Sequence, residues 1–285
     1  MITYSYNTKF IDLQGNNQVA YVDEGKGERT LLFIHGLANY AMVWKKNIDY
    51  LKQFYRCIAI DLPGNGLSGK EEHPYGIKFY AKSVYEFIQA LGLNNLTLVG
   101  HSMGGQVAMT LIIKNPGCAE RMILCAPAGF EEFTPMDRLL SSNALHLFSY
   151  FSSDENGLRQ AIEHSFYHQQ SQGEGIIREL AGIMKTYKLN AYRKMVDASI
   201  KSLLYDSVYD QLGKIKLPVL VIFGRHDALI PNKLIHFTTT ERLATDAVKK
   251  MPDARLEMLS DSGHFVHWEK ADEVNKLIVQ FIQQQ

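Results

Sequence analysis

The stretch 96-LTLVGHSMGGQVAMTLIIK-114 sets a hydroxyl, Ser102, between Gly100 and Gly104, behind an apolar strand-like run and ahead of a helix-compatible one. A serine at a tight strand-to-helix turn is a nucleophile held in an unfavourable backbone conformation. Neighbours without side chains let the chain fold that sharply. The helix that follows aims its N-terminal N–H groups and its dipole at the space beside Ser102, where an oxyanion would form. An incidental serine in a glycine-rich turn has the same five letters, but the buried strand before it and the apolar helix after it argue for the nucleophile.

A serine hydroxyl attacks only when a base takes its proton, and that base needs a third group to fix its orientation and tautomer. Asp227 follows the apolar run 218-PVLVIF-223, and His264 follows 254-ARLEML-259. If these runs are parallel strands, both residues stand on loops at their carboxyl ends. That is the edge expected to carry Ser102, and the edge where open α/β sheets place ligands.

A rival chemistry has to be weighed. In 61-DLPGNGLSGKE-71 the order Gly64-x-Gly66-x-x-Gly69-Lys70 matches the spacing of a dinucleotide fingerprint, and Glu71 stands where a P-loop needs Ser or Thr. Phosphate binding of either kind requires a helix to open at the glycines. Pro74 and Gly76 defer the helix to about Ile77, and a carboxylate at Glu71 repels phosphate. The stretch therefore reads as a tight loop, not a nucleotide site.

The elements that must position these residues are legible. Residues 3–13 and 18–23 alternate polar and apolar around Gly15-Asn16-Asn17, as an opening hairpin does. Unbroken apolar runs at 31–34, 57–60, 96–99, 121–125 and 218–223 suit strands covered on both faces. Helical patterns over 40–51, 77–92 and 103–115 lie between several of them. The fold expected is α/β, with a mostly parallel central sheet and helices on both faces.

The rhythm breaks after Cys125. From Glu131 to Asp210 only helix-compatible segments appear, such as 136–151, 176–189 and 191–206, so a helical cap (131–210) is expected to interrupt a core domain formed by 1–130 and 211–285. The α/β pattern resumes at Leu217 with a strand, a helix-rich stretch over 232–250, a short strand at 254–259 and a final amphipathic helix over 271–285.

Composition narrows the partners. Lys plus Arg and Asp plus Glu both number 30, so no net charge attracts nucleic acid or an anionic membrane surface. No stretch approaches the roughly 18 unbroken apolar residues of a membrane span, and no basic-then-apolar leader opens the chain. Three cysteines cannot all pair with one another, and Cys57 and Cys125 lie in strand-like runs where buried reduced thiols are ordinary. A soluble, cytoplasmic protein is expected.

Five motifs in order now carry a resemblance: 35-HGLANYAMVW-44, 61-DLPGNGLS-68, the elbow at Ser102, 224-GRHDALIP-231 and 262-SGHFVHWEKADEV-274. The chain resembles the α/β-hydrolase fold superfamily over nearly its whole length, with the order Ser, Asp, His. The resemblance implies Ser102 as nucleophile, His264 as general base and then acid, and Asp227 as the orienting carboxylate. It implies an oxyanion hole from the backbone N–H groups of Leu37 and Met103, with the cap inserted after the sixth core strand. No cofactor and no metal are implied.

The expected activity is hydrolysis of a small-molecule carboxylic ester or related acyl substrate through an acyl-enzyme. A serine in the elbow argues against haloalkane dehalogenases and epoxide hydrolases, which use an aspartate there. Three alternatives share the constellation. A C–C bond hydrolase of the meta-cleavage product type is suggested by Gly263-His264-x-x-x-Trp268-Glu269, although the loop after Gly36 reads LANYAM and lacks the glycines and serine expected of that group. Such an enzyme would want a cation for the substrate carboxylate, with Arg138, Arg159, Arg178 and Arg193 as candidates. The others are a cofactor-free perhydrolase or haloperoxidase-like enzyme and a non-hydrolytic ligand receptor.

Among the remaining residues, Asn39, Phe265 and Trp268 are candidate substrate contacts. Asp61 and Asp261 read as structural, as do His35 and His101. His267 lacks a third ligand at metal-like spacing. In the cap, His164, Tyr167, His168 and Tyr187 are candidate pocket residues.

Overall fold

The computed structural model describes residues 4–134, 136–137, 155–167, 173–185, 189–233 and 235–284. Its strands are β1 (Lys9–Leu13), β2 (Asn17–Glu24), β3 (Thr30–Ile34), β4 (Arg56–Ile60), β5 (Leu96–His101), β6 (Arg121–Cys125), β7 (Val219–Gly224) and β8 (Ala254–Leu259). They form one sheet in the order β1-β2-β4-β3-β5-β6-β7-β8. β2 is antiparallel to β1 and β4, and from β4 through β8 every pairing is parallel. All residues of β3, β5, β6 and β7 are buried, which requires cover on both faces and explains their unbroken apolar sequence.

The cover comes from α1 (Lys45–Leu51), α2 (Ile77–Ala90), α3 (Met103–Lys114), α7 (Thr240–Val248), α8 (Val266–Glu269) and α9 (Ala271–Gln283). α2 packs on α3, and α1 packs on α9. Between β6 and β7 the chain runs through α4 (Glu155–Ser165), α5 (Glu174–Met184) and α6 (Leu189–Tyr205), with no strand among the described residues. The helix expected over 136–151 lies outside the described residues except for helical 136–137.

The structure differs from expectation in several places, each with a local cause. The first strand begins at Lys9, not at residue 3: Tyr4 turns inward, and its hydroxyl donates to Asp61 Oδ2 at 2.6 Å. The 40–51 pattern splits into a 3-10 turn (Ala41–Trp44) and α1, because the Ala41 amide is drawn to Asp61 Oδ1 at 2.6 Å. Among the described residues of 232–250 only Thr240–Val248 is helical. The Asn232 amide donates instead to Glu131 Oε1 at 2.7 Å, and Thr239 caps α7 by accepting from the Arg242 amide at 3.2 Å.

Candidate active site

β5 ends at His101 and α3 begins at Met103, so Ser102 carries the whole reversal. Its backbone sits at φ 51, ψ −119, a region L-residues rarely occupy and one that stores about 1–3 kcal/mol. Bonds on both sides hold it there. The Ser102 amide donates to the Cys125 carbonyl at 3.1 Å, and its carbonyl accepts from Ala128 at 3.0 Å and Gly105 at 2.9 Å. The flanking glycines are steric requirements: a Cβ at Gly104 would overlap the Ile34 carbonyl oxygen, and one at Gly100 would come within 2.6 Å of the Gly104 carbonyl oxygen.

Asp227 and His264 project from the loops after β7 and β8, at the same edge. His264 Nδ1 lies 2.9 Å from Asp227 Oδ2, and both side chains are buried. A carboxylate only accepts, so Nδ1 carries the hydrogen, and in the neutral imidazole the lone pair is on Nε2. Asp227 is itself fixed, because its Oδ1 accepts from Leu229 at 2.8 Å and Ile230 at 3.0 Å.

His264 is held at its backbone as well. Its amide donates to the Ser165 carbonyl at 2.8 Å, and its carbonyl accepts from His101 Nε2 at 3.0 Å. His101 therefore serves the site by position, and burial holds its basicity well below that of free imidazole. His35 is structural in the same sense: its Nε2 accepts from the Leu62 amide at 3.0 Å while Nδ1 donates to the Gly36 carbonyl at 2.7 Å. Burial pushes its pKa down to about 4, so it stays neutral.

Ser102 and His264 open onto one cavity of about 130 Å³. A single water needs about 10–15 Å³, so the space suits an organic molecule of several heavy atoms. Leu37, Asn39 and Phe265 line it, as does Ser165 from the end of α4. The amides of Leu37 and Met103 give their hydrogens to no described acceptor. Trp268 is not among the lining residues; its ring lies under the Lys46 ammonium at 4.6 Å, which also donates to the Trp268 carbonyl at 3.0 Å. His267 is buried against Trp44 and His101, at ring distances of 4.2 and 4.3 Å.

Four contributions were missed from sequence. Glu131 and Gln106 line the cavity, and Ser165 touches both the cavity and His264. Glu269 accepts from the amides of Gly263 and Tyr167, each at 2.9 Å, and so ties the end of α4 to the His264 loop. The apolar spacing of Leu158, Ile162 and Phe166 is the signal that would have placed α4. No local pattern announces the tertiary roles.

The other sequence candidates are dispersed. Asp61 is buried and accepts from Tyr4, Ala41 and Leu67, the last at 2.7 Å. The Gly64–Lys70 loop closes on itself, with Lys70 Nζ donating to the carbonyls of Asn65, Gly66 and Ser68 at 3.0, 2.7 and 2.5 Å. A Cβ at Gly66 would overlap the Asp61 carboxyl group. His164, Arg178 and Arg193 are exposed, while Arg159 pairs with Glu174 at 2.7 Å. Arg138, His168 and Tyr187 lie outside the described residues.

Comparison with known proteins agrees with this fold. The alpha/beta hydrolase fold family model matches residues 29–271. A 2-hydroxy-6-oxo-6-phenylhexa-2,4-dienoate hydrolase of Comamonas testosteroni is 31% identical, over 93% of this chain and 91% of that protein. Among solved structures, a probable hydrolytic enzyme from Pseudomonas aeruginosa PAO1 superposes with a TM-score of 0.84 at 22% identity, covering 99% of this chain and 96% of that one. An esterase from Exiguobacterium antarcticum gives 0.80 at 20% identity, covering 97% and 99%.

Proposed function

We propose, for a chain that belongs to the alpha/beta hydrolase fold family, that it hydrolyses a small-molecule carboxylic ester through an acyl-enzyme on Ser102. The observation that carries this reading is the His264–Asp227 pair at 2.9 Å, opening onto the same cavity as the strained Ser102. His264 Nε2 takes the Ser102 proton as the oxygen attacks the substrate carbonyl. The amides of Leu37 and Met103 stabilise the tetrahedral oxyanion, each such donor being worth about 10²- to 10³-fold in rate. His264 then protonates the departing alcohol, and water, deprotonated by the same imidazole, releases the acid from Ser102.

In this reading residues 131–210 act as a cap over a core formed by 1–130 and 211–285, and the docking of Ser165 on His264 supports it. A cap over the carboxyl edge excludes water from the acyl-enzyme until the product leaves. Among the described residues no helix is long and apolar enough to cross a membrane. Cys57, Cys118 and Cys125 are free thiols, which supports a reducing, cytoplasmic setting.

A second reading has its own support. The relative at 31% identity is by its name a dienoate hydrolase, and Gly263-His264-x-x-x-Trp268-Glu269 resembles the meta-cleavage product group. Against it, no Lys or Arg among the described residues lines the cavity to meet a substrate carboxylate. Initial rates on p-nitrophenyl esters of increasing chain length, beside one ring-fission dienoate, separate the two. The ester reading expects kcat/KM for the best ester to exceed that for the dienoate, and the reverse order refutes it.

A further inference from the structure

Glu131 is a carboxyl group inside the cavity that acyl transfer leaves unused. It is 6% exposed and shares the cavity with Ser102 and His264. Its Oε1 accepts the Asn232 amide at 2.7 Å and lies 3.6 Å from His236 Nε2, while Oε2 accepts from no described residue. Phe133, Leu229 and Ile230 give that part of the cavity an apolar wall.

The charged surroundings do not neutralise it. Burial lowers the basicity of His236, so this imidazole is a poor counter-cation. Asp227 adds like charge and is already engaged with His264. Glu132 and Asp137 raise the basicity of His236 but do not outweigh its burial, and Lys233 is exposed. Burial, with the charge of Asp227, pushes the Glu131 carboxyl up to about 7, and the Asn232 amide only partly offsets this.

We propose that Glu131 forms a substrate subsite, in which its unengaged oxygen takes a hydroxyl group of the substrate and excludes a substrate that carries a carboxylate there. This rests on the ester reading and gives it a substrate class, a hydroxyl-bearing acyl compound. A hydroxyl suits both forms of the carboxyl group, because it donates to the ionised form and accepts from the protonated one. A substrate carboxylate meets like charge in an apolar wall whenever Glu131 is ionised. An ammonium pairs only with the ionised form and loses its hydration in doing so.

The test uses the full chain as Ser102→Ala and as Ser102→Ala with Glu131→Gln, so that binding is read without turnover. Calorimetry compares the methyl ester of hexanoic acid, its terminally hydroxylated analogue and monomethyl adipate. With Glu131 present, the hydroxy ester is expected to bind tightest and the adipate about tenfold or more weaker than the plain ester. With Gln the adipate should come within about threefold of the plain ester.

Ratios that are the same with Glu or Gln, or no binding of any of the three, overturn the subsite. If Glu131→Gln lowers the melting temperature too far for calorimetry, Glu131→Met removes the charge at similar length and the same ratio is read. Turnover by the parent is measured separately. Hydrolysis without a Glu131-dependent ratio sinks the subsite alone, and a Glu131-dependent ratio without hydrolysis sinks the ester reading alone.

Discussion

Glu269 joins two amides that the chain order keeps far apart, accepting from Gly263 through Oε1 and from Tyr167 through Oε2, each at 2.9 Å. Next to this strap, the His264 amide binds the Ser165 carbonyl, and Phe166 stacks on Phe265 with ring centroids 4.8 Å apart. The end of α4 is thereby part of the support of His264. Under the proposed mechanism its placement bears on the chemistry as well as on access.

Glu269→Ala should act on both counts. Two partly buried amides lose their acceptor, which costs about 1–3 kcal/mol in urea unfolding. Because the lost contacts hold the His264 loop, kcat on the best ester should fall further than the folded fraction does. A kcat that tracks the folded fraction alone assigns Glu269 to stability only.

Ser102→Gly should separate strain from chemistry. Glycine tolerates φ 51, ψ −119, so the variant should gain about 1 kcal/mol in stability while losing its nucleophile. Denaturant midpoints of parent and variant check this. A destabilised glycine variant contradicts the strain assigned to the elbow.

Asp61→Ala should be costly although Asp61 performs no chemistry. Removing the carboxylate leaves the Tyr4 hydroxyl and the amides of Ala41 and Leu67 without their acceptor. A loss of about 3 kcal/mol in unfolding free energy is expected. A change below about 1 kcal/mol contradicts the role.

Glu131 gives a pH signature. Its pKa is raised from 4.5 to about 7 in the folded protein, so the folded state keeps a proton that the unfolded chain releases. The stability this contributes is present below pH 4.5 and is lost as pH rises to about 7. The parent's unfolding free energy should fall relative to Glu131→Gln by as much as about 3 kcal/mol across that window, and run parallel to it above. Parallel curves throughout contradict the raised value.

The sheet and the placement of Ser102, Asp227 and His264 just after β5, β7 and β8 were legible because they follow local patterns: unbroken apolar runs for buried strands, and glycines around a turn. The 61–71 loop was legible by the same logic, since Pro74 and Gly76 place α2 at Ile77. What escaped were partnerships across long sequence separations. Tyr4 is drawn off its expected strand by Asp61, and Asn232 off its expected helix by Glu131. Trp268 was a candidate substrate contact, but the Lys46 ammonium engages its ring away from the lining residues. Propensity and spacing carry no term for such partners.

The central claim is that Ser102 is a nucleophile activated by His264 and Asp227. Labelling of the folded protein by a fluorophosphonate, read by peptide mass spectrometry, tests it most directly. The adduct should sit on the peptide containing Ser102, vanish in Ser102→Ala, and form about 10³- to 10⁴-fold more slowly in Asp227→Asn. An unlabelled Ser102 in folded protein, or Ser102→Ala hydrolysing the same ester at the parent's rate, contradicts it.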